Sequence, residues 1–496
     1  MTTTAPPTRA TVGLRSERGP ILGSVMIAIA LIAIDATILA TAVPAIVRDL
    51  GGFTQFPWMF SAYLLTQAIS TPIYGKLADT FGRKPLMLFG IATFIVGSVL
   101  CAVSWSMGAL IAFRALQGLG AGAIQPAGMT IMGDIYSVAE RAVAQGYIAS
   151  VWAMSAVIGP TLGGFFSDHL SWRWIFWINL PLGLLAAAVL WFRFDEKASL
   201  AEAHERRPID WTGALLVAAA SALLLLGLLE GGIRWPWASW QTAVILGGSA
   251  VLTLLFVRVE GRVADPVLPG WLFRHRVLNA AAVGSFVAGM VMLGVTSYVP
   301  VYAQQVLGFG ATIAGFAVAA LAIGWPIAAS TSGRIYLRFG FRTCLMLGAL
   351  FGAIGAGILT LVGPDSSIWL LALACGVLGL GLGYVASPSI VAMQSAVEFR
   401  QRGVATGANM FSRSVGSAVG VAMFGAIANA VVADRLGGAA AAGSANLEDL
   451  PVGVLDPALQ TVFLAVAGAA LLLVLAALLM PSRGANAPGQ EPATSE

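Results

Sequence analysis

Two ionisable residues interrupt long apolar runs in this chain. Asp35 lies within IDATILATAVP and Arg114 within LIAFRALQGLGAGA. A charge in hydrocarbon is costly, so such residues pair with one another or line a polar cavity. A carboxylate held by a fixed cation releases it on protonation, which couples a proton to a change of conformation. The alternative is a static ion pair that orients two helices. At 1.5 Å of rise per residue, Asp35 is about 18 Å and Arg114 about 10 Å in from one face. Much of that difference is within reach of an arginine side chain.

A second group of charges is the segment Gly75–Lys84, GKLADTFGRK. Lys76, Asp79, Arg83 and Lys84 cannot lie in hydrocarbon, which predicts a loop at a membrane face. Gly75 and Gly82 permit tight turns or close helix approach. Asp79 can cap a helix N-terminus, where the dipole is positive, and a helix begins at the same face near Gly403. Asp134 can pair with Arg83. The plainer reading is a solvated loop whose basic residues only set topology. A third segment, GPTLGG, holds Gly159, Pro160, Gly163 and Gly164. Pro160 removes a helix hydrogen bond, and the glycines admit a close neighbour. Taken alone, it is a packing motif.

The elements that carry these groups are membrane helices. Of the 496 residues 58% are hydrophobic and 10% charged, against about 25% charged in soluble domains. Apolar blocks of about 20 residues recur, each enough to cross a bilayer. Helices are predicted near 21–47, 57–77, 86–104, 107–131, 142–165, 175–193, 211–229, 239–258, 278–302, 312–334, 343–362, 368–388, 403–432 and 460–480. Lys and Arg fall overwhelmingly on one side of this arrangement, and the other carries Arg48, Arg173, Arg234 and Arg435. That asymmetry places both termini in the cytoplasm. The tail Met1–Pro20 and the tail from Pro481 are expected to be loose, and Leu436–Pro457, with Glu448, Asp449 and Asp456, to be the longest outer loop. Cys101, Cys344 and Cys375 lie in apolar segments as packing residues. The histidines at 169, 204 and 275 show no metal-ligand spacing. No nucleophile–base pair and no metal constellation suggests an enzyme, and no basic run suggests a nucleic-acid face.

Gly333–Arg342, GRIYLRFGFR, repeats Gly75–Lys84 with Leu337 in place of the acid. The copies follow the second and tenth helices. Parallel halves are a transporter pattern, and an offset of eight leaves two extra helices between two six-helix halves. The expected division is 1–20 tail, 21–194 first bundle, 195–276 linker with two helices, 277–480 second bundle and 481–496 tail.

Gly75–Lys84 resembles the loop signature of the major facilitator superfamily. Together with Arg114 in its Gly-rich setting and GPTLGG, it resembles the fourteen-helix drug:proton antiporters of that superfamily. WRWIFWINLPLG (Trp172–Gly183) and GVATGANMFSRSVGSAVG (Gly403–Gly420) resemble segments of the same group, as does DATILATAVPAIVRDL, with Ala-Thr where Asn-Val is common. The resemblance spans roughly residues 20–480. It implies an all-α polytopic fold of two pseudo-symmetric six-helix bundles plus two linker helices, in a bacterial plasma membrane and as a monomer. It implies a cytoplasmic gate at Gly75–Lys84 and export by alternating access. The coupling ion would be the proton, with no cofactor, and the substrates hydrophobic or cationic small molecules arriving from the cytoplasm or the inner leaflet.

A polyspecific site is large and apolar with few polar groups. Candidate contacts are Tyr63, Gln67, Gln117, Gln125, Trp152, Met292, Tyr298 and Asn409. Arg413 is either a second-half cavity charge or a partner for backbone. Export of a single metabolite, such as a siderophore, amino acid, lipid or self-made antibiotic, fits the same residues. A membrane sensor fits less well, because no stretch is long enough for a soluble effector domain.

Overall fold

The computed structural model describes residues 12–51, 57–196, 210–231, 235–263, 266–436 and 451–482. The remainder of both tails, residues 197–209 of the linker and residues 437–450 of the expected outer loop, Glu448 and Asp449 included, lie outside the described residues. The fold is all-α, and a single isolated bridge, Gly231 with Trp235, is the only β pairing among the described residues.

Fourteen long helices follow one another: α1 Gly19–Leu50, α2 Pro57–Phe81, α3 Arg83–Ala102, α4 Met107–Ile135, α5 Val138–His169, α6 Asn179–Arg193, α7 Trp211–Glu230, α8 Trp240–Glu260, α9 Arg276–Gln305, α10 Ala311–Phe339, α11 Phe341–Thr360, α12 Ile368–Ser395, α13 Arg402–Leu436 and α14 Val452–Leu479. A helical turn, Trp174–Trp177, leads into α6. Among the described residues, thirteen spans are long and apolar enough to cross a membrane. The exception is α2, which is 25 residues long but carries Thr66, Gln67, Ser70 and Thr71 along its length. Thr66, Ser70 and Thr71 return hydrogen bonds to α2's own carbonyls, and Thr66 also bonds Ala115 on α4. It is a helix lined for the protein interior.

Several helices overrun their predicted ends. Ser137 starts α5 with a capping box, its hydroxyl accepting from the Glu140 amide while the Glu140 carboxylate takes the Ser137 amide, which extends the helix beyond the hydrocarbon. Asp456, expected in the outer loop, is in the first turns of α14 and accepts a 2.6 Å hydrogen bond from Tyr302. The expected loose tail is also shorter: Val12 is fully buried, and Arg18 bonds the Ile135 carbonyl and Glu140.

The expected loop Gly75–Lys84 is mostly helix. Gly75–Phe81 completes α2, and Arg83 opens α3. Gly82 alone breaks the path, at φ +97°, a conformation for which glycine is suited. The second copy behaves alike, with Gly340 at φ +89° between α10 and α11.

Helices α1–α6 pack among themselves, as do α9–α14, and the halves meet where α2 lies on α13 and α5 on α10. The offset of eight turns α2 into α10 and α5 into α13, so these two contacts are one contact seen from both sides of a pseudo-twofold axis. Helices α7 and α8 pair with each other, and α7 lies along α2 and α13. In α8 only 17% of the apolar window is buried, against 61% in α9, so α8 is peripheral. Large apolar side chains such as Trp105, Phe192, Leu215 and Leu254 cover the outside, as expected of a lipid-facing surface.

Candidate functional site

Asp35 lies halfway along α1 and Arg114 in the third turn of α4. Both are 1% exposed. The Arg114 Nη1 lies 2.5 Å from the Asp35 Oδ2. Gln117, one turn along α4, completes a closed triangle: its Nε2 donates to the Asp35 Oδ1 at 2.9 Å, and its Oε1 accepts from the Arg114 Nη1 at 2.8 Å. Spacing i, i+3 puts Arg114 and Gln117 on one helix face, which is why one carboxylate meets both. Arg114 has two further supports. Its Nε donates to the Met59 carbonyl at 3.2 Å, and its guanidinium lies over the Tyr63 ring, 4.1 Å from the centroid. Tyr63 and Gln117, expected to touch substrate, therefore belong to the ion-pair site.

The second cluster closes the face that bears most of the Lys and Arg, called here the basic face. The Asp79 carboxylate accepts from the amides of Gly403 at 2.9 Å and Val404 at 2.8 Å, so an acid of the first half caps α13 of the second. Gly75 makes the approach possible, because a Cβ there would come within 2.6 Å of the Gly403 carbonyl. Arg83 donates to Asp79 at 3.2 Å and to the Phe399 carbonyl at 2.7 Å, and lies 3.0 Å from Asp134. Arg402 reaches across to the other oxygen of Asp134 at 2.9 Å. Gln394 of α12 donates to the Met129 carbonyl of α4 at 3.1 Å and to Thr406 at 3.0 Å.

The symmetry-related corner holds Tyr336, whose hydroxyl donates to the Val138 carbonyl at 3.0 Å. No acid is needed there, because Ser137 and Glu140 already cap α5. That accounts physically for Leu337 in the second copy.

Lys84 turns away from this interface. Its ammonium donates to the carbonyls of Trp191 and Phe194 at the end of α6. The sequence reading missed Glu196, which accepts from the amides of Arg83 at 2.6 Å and Lys84 at 2.9 Å and so caps α3. It lies in the linker, and no local spacing marks it as a cap for a helix 113 positions earlier. Gln394 and Arg402 were missed for the same reason.

In the third motif Gly159 has a tight contact. A Cβ there would overlap the Thr37 hydroxyl and lie 3.1 Å from the Ile38 amide. Thr37, two residues beyond Asp35, donates to the Ser155 carbonyl at 2.9 Å. Gly163 is buried. Gly164, expected to admit a close neighbour, has open space around it. Residue 160 continues the helical backbone of α5, and its side chain lies outside the described ones.

The remaining candidates scatter. Gln67 and Gln125 bond each other at 3.3 Å, joining α2 to α4, and both stay partly exposed. Trp152 packs on the first-half core, and Met292 and Tyr298 on that of the second. Asn409, expected to touch substrate, is 2% exposed and donates to Ser285 at 2.8 Å and the Ala281 carbonyl at 3.3 Å, fastening α13 to α9. Arg413 is partly exposed.

The description of the Major Facilitator Superfamily matches residues 25–213 and 210–421. Multidrug resistance protein 3 of Bacillus subtilis (strain 168) is 33% identical over 422 residues, 85% of this chain and 81% of that protein. Multidrug transporter protein MdtP of the same strain is 33% identical over 420 residues, 84% of this chain and 76% of that protein. The efflux pump dotC of Dothistroma septosporum is 34% identical over 422 residues, 82% and 72% of the two chains. The fold is similar to the crystal structure of the human organic anion transporter MFSD10 (TETRAN), with a TM-score of 0.62 and 16% identity over 94% of this chain and 99% of that one.

Proposed function

Since the chain belongs to the major facilitator superfamily, a family of multi-pass membrane transporters, we propose that it is a proton-coupled exporter of hydrophobic, drug-like compounds. The names of its relatives as multidrug transporters and efflux pumps support the direction and the substrate class. The basic face is cytoplasmic on the positive-inside rule. In the conformation described, that face is shut by the Asp79, Arg83, Asp134 and Arg402 cluster. The protein is a transporter and not an enzyme, and it acts in the bacterial plasma membrane as a monomer.

The observation that carries proton coupling is the set of partners around Arg114. Breaking a buried ion pair by removing one charge costs about 3–5 kcal/mol when the other is left without support. Here the arginine keeps the Met59 carbonyl, the Gln117 oxygen and the Tyr63 ring after Asp35 is neutralised. Protonation therefore weakens the link between α1 and α4 without orphaning the cation. Thr37, two residues beyond Asp35, packs against Gly159, so a shift of α1 is passed to α5, and α5 meets α10 across the contact between the halves. Asp35 is sealed in this conformation, which ties proton exchange to opening of the cavity. Substrate enters from the cytoplasm or inner leaflet when the gate parts, and leaves on the far side after the halves rock back.

The test is proton release from acidified inside-out vesicles on adding hydrophobic compounds, with Asp35→Asn beside the wild type. Release by several compounds that is absent in the variant is the expected outcome. Unchanged release in Asp35→Asn removes Asp35 from the coupling.

A further inference from the structure

Arg413 lies on α13, eleven residues beyond Arg402. At 1.5 Å per residue that is about 17 Å from the basic end, well inside the bilayer. The Thr406 hydroxyl accepts from Gln394 of α12, and Met410 packs with Ile390 and the first-half core. These two residues are part of the layer that closes the basic face. Spacings of three and seven residues put Arg413 on the same side of α13 as Met410 and Thr406. It therefore occupies the next turn beyond the closed layer, and its side chain is partly exposed.

Its backbone is held tightly, since a Cβ at Gly289 on α9 would overlap the Arg413 carbonyl. The neighbouring hydroxyls are engaged with backbone. Ser412 donates to the Ala282 carbonyl, Ser414 to Met410 and Ser417 to Gly289. The guanidinium itself is partly exposed and makes no ion pair or hydrogen bond among the described residues. Asp35 and Arg114 cancel each other. The described acids of the second half lie at helix ends, Glu398 before α13, Asp365 between α11 and α12, Asp434 at the end of α13 and Asp456 in the first turns of α14, bonded to Tyr302. Arg413 is thus an uncompensated cation in the membrane interior. An ionisable residue in that position carries a functional cost unless it has a partner, and a guanidinium is built to bind a carboxylate with two parallel hydrogen bonds.

We propose that Arg413 is a substrate-binding residue for the anionic group of amphiphilic organic acids. This rests on the exporter reading above and narrows it, because the same charge disfavours cationic compounds beside Arg413.

The experiment measures equilibrium binding to the purified full-length protein in detergent. The probes are a fluorescent amphiphile, dansylaminoundecanoic acid, and its methyl ester. The expected result is that the acid binds the wild type at least about tenfold more tightly than the ester, a difference of about 1.4 kcal/mol. Arg413→Gln loses that preference while keeping its affinity for the ester, and Arg413→Lys restores part of it. Retained ester affinity and an unchanged unfolding temperature show that the Gln variant is folded. Equal binding of acid and ester by the wild type overturns the proposal, as does a preference that survives Arg413→Gln or no binding of the acid at all. Binding needs no proton gradient, so failure of proton coupling in vesicles leaves this result readable, and failure here leaves the exporter reading standing.

Discussion

Asp79 joins the halves at the basic face by accepting from the Gly403 and Val404 amides, and Asp79→Ala is the sharpest test of whether closure depends on it. The substitution removes both acceptors for the Gly403 and Val404 amides. Hydrogen bonds to a charged group contribute about 1.5–3 kcal/mol each. In the open conformation those amides and the carboxylate are rehydrated, which leaves about 2 kcal/mol as the part that favours closure. Arg83 loses one of its partners but keeps Asp134 and the Phe399 carbonyl, so the cluster is weakened and not scattered. A shift of about 2 kcal/mol raises the open population roughly thirtyfold. Met410 reports on it, because it is 3% exposed in the closed layer and becomes reachable only when the halves part. Met410→Cys should react with a membrane-impermeant maleimide in inside-out vesicles about thirty times faster when Asp79→Ala is added. The native Cys101, Cys344 and Cys375 are fully buried and label slowly. A change of less than about threefold, in a protein that still folds, would refute the assignment of Asp79 as the closing group.

Gly159→Ala should separate α5 from α1 at Thr37, costing about 1–3 kcal/mol by overpacking, and should lower both initial export rate and unfolding temperature. Gly164→Ala, with open space at its Cβ, should leave both unchanged, and an equal effect of the two would reduce the segment to general helix packing. Glu196→Ala should cost about 1 kcal/mol of stability through loss of the cap on α3, read as a lower unfolding temperature, while proton release stays coupled to substrate. If coupling is lost instead, Glu196 has a part in the gate that its hydrogen bonds do not reveal.

The elements themselves were legible in the sequence because bilayer crossing is a local constraint. About twenty apolar residues must satisfy their own backbone groups as a helix, so each span shows wherever it lies, as α14 does despite its displaced start. Even α2, too polar to qualify by composition, was visible from the charges that end it. Ion-pair candidates were legible for the same reason, since Asp35 and Arg114 stand out against hydrocarbon. The sequence could not show what lies opposite a given residue. Glycine at 82 and 340 signalled a break, yet only the fold shows that Gly75–Phe81 is helix and that Asp79 caps a helix 324 positions later. Gly159 and Gly164 read alike in sequence, and their difference lies entirely in whether Thr37 is across from them. Asn409 and Arg413 are one helical turn apart in one motif. One is tied to Ser285 of α9, and the guanidinium of the other makes no hydrogen bond or ion pair among the described residues, a difference that shared spacing on one helix face does not reveal. Local chemistry decided where the chain crosses the membrane. Which side chains meet, and which charge remains uncompensated, was decided by how the two halves pack, a contest among contacts that no stretch of sequence contains.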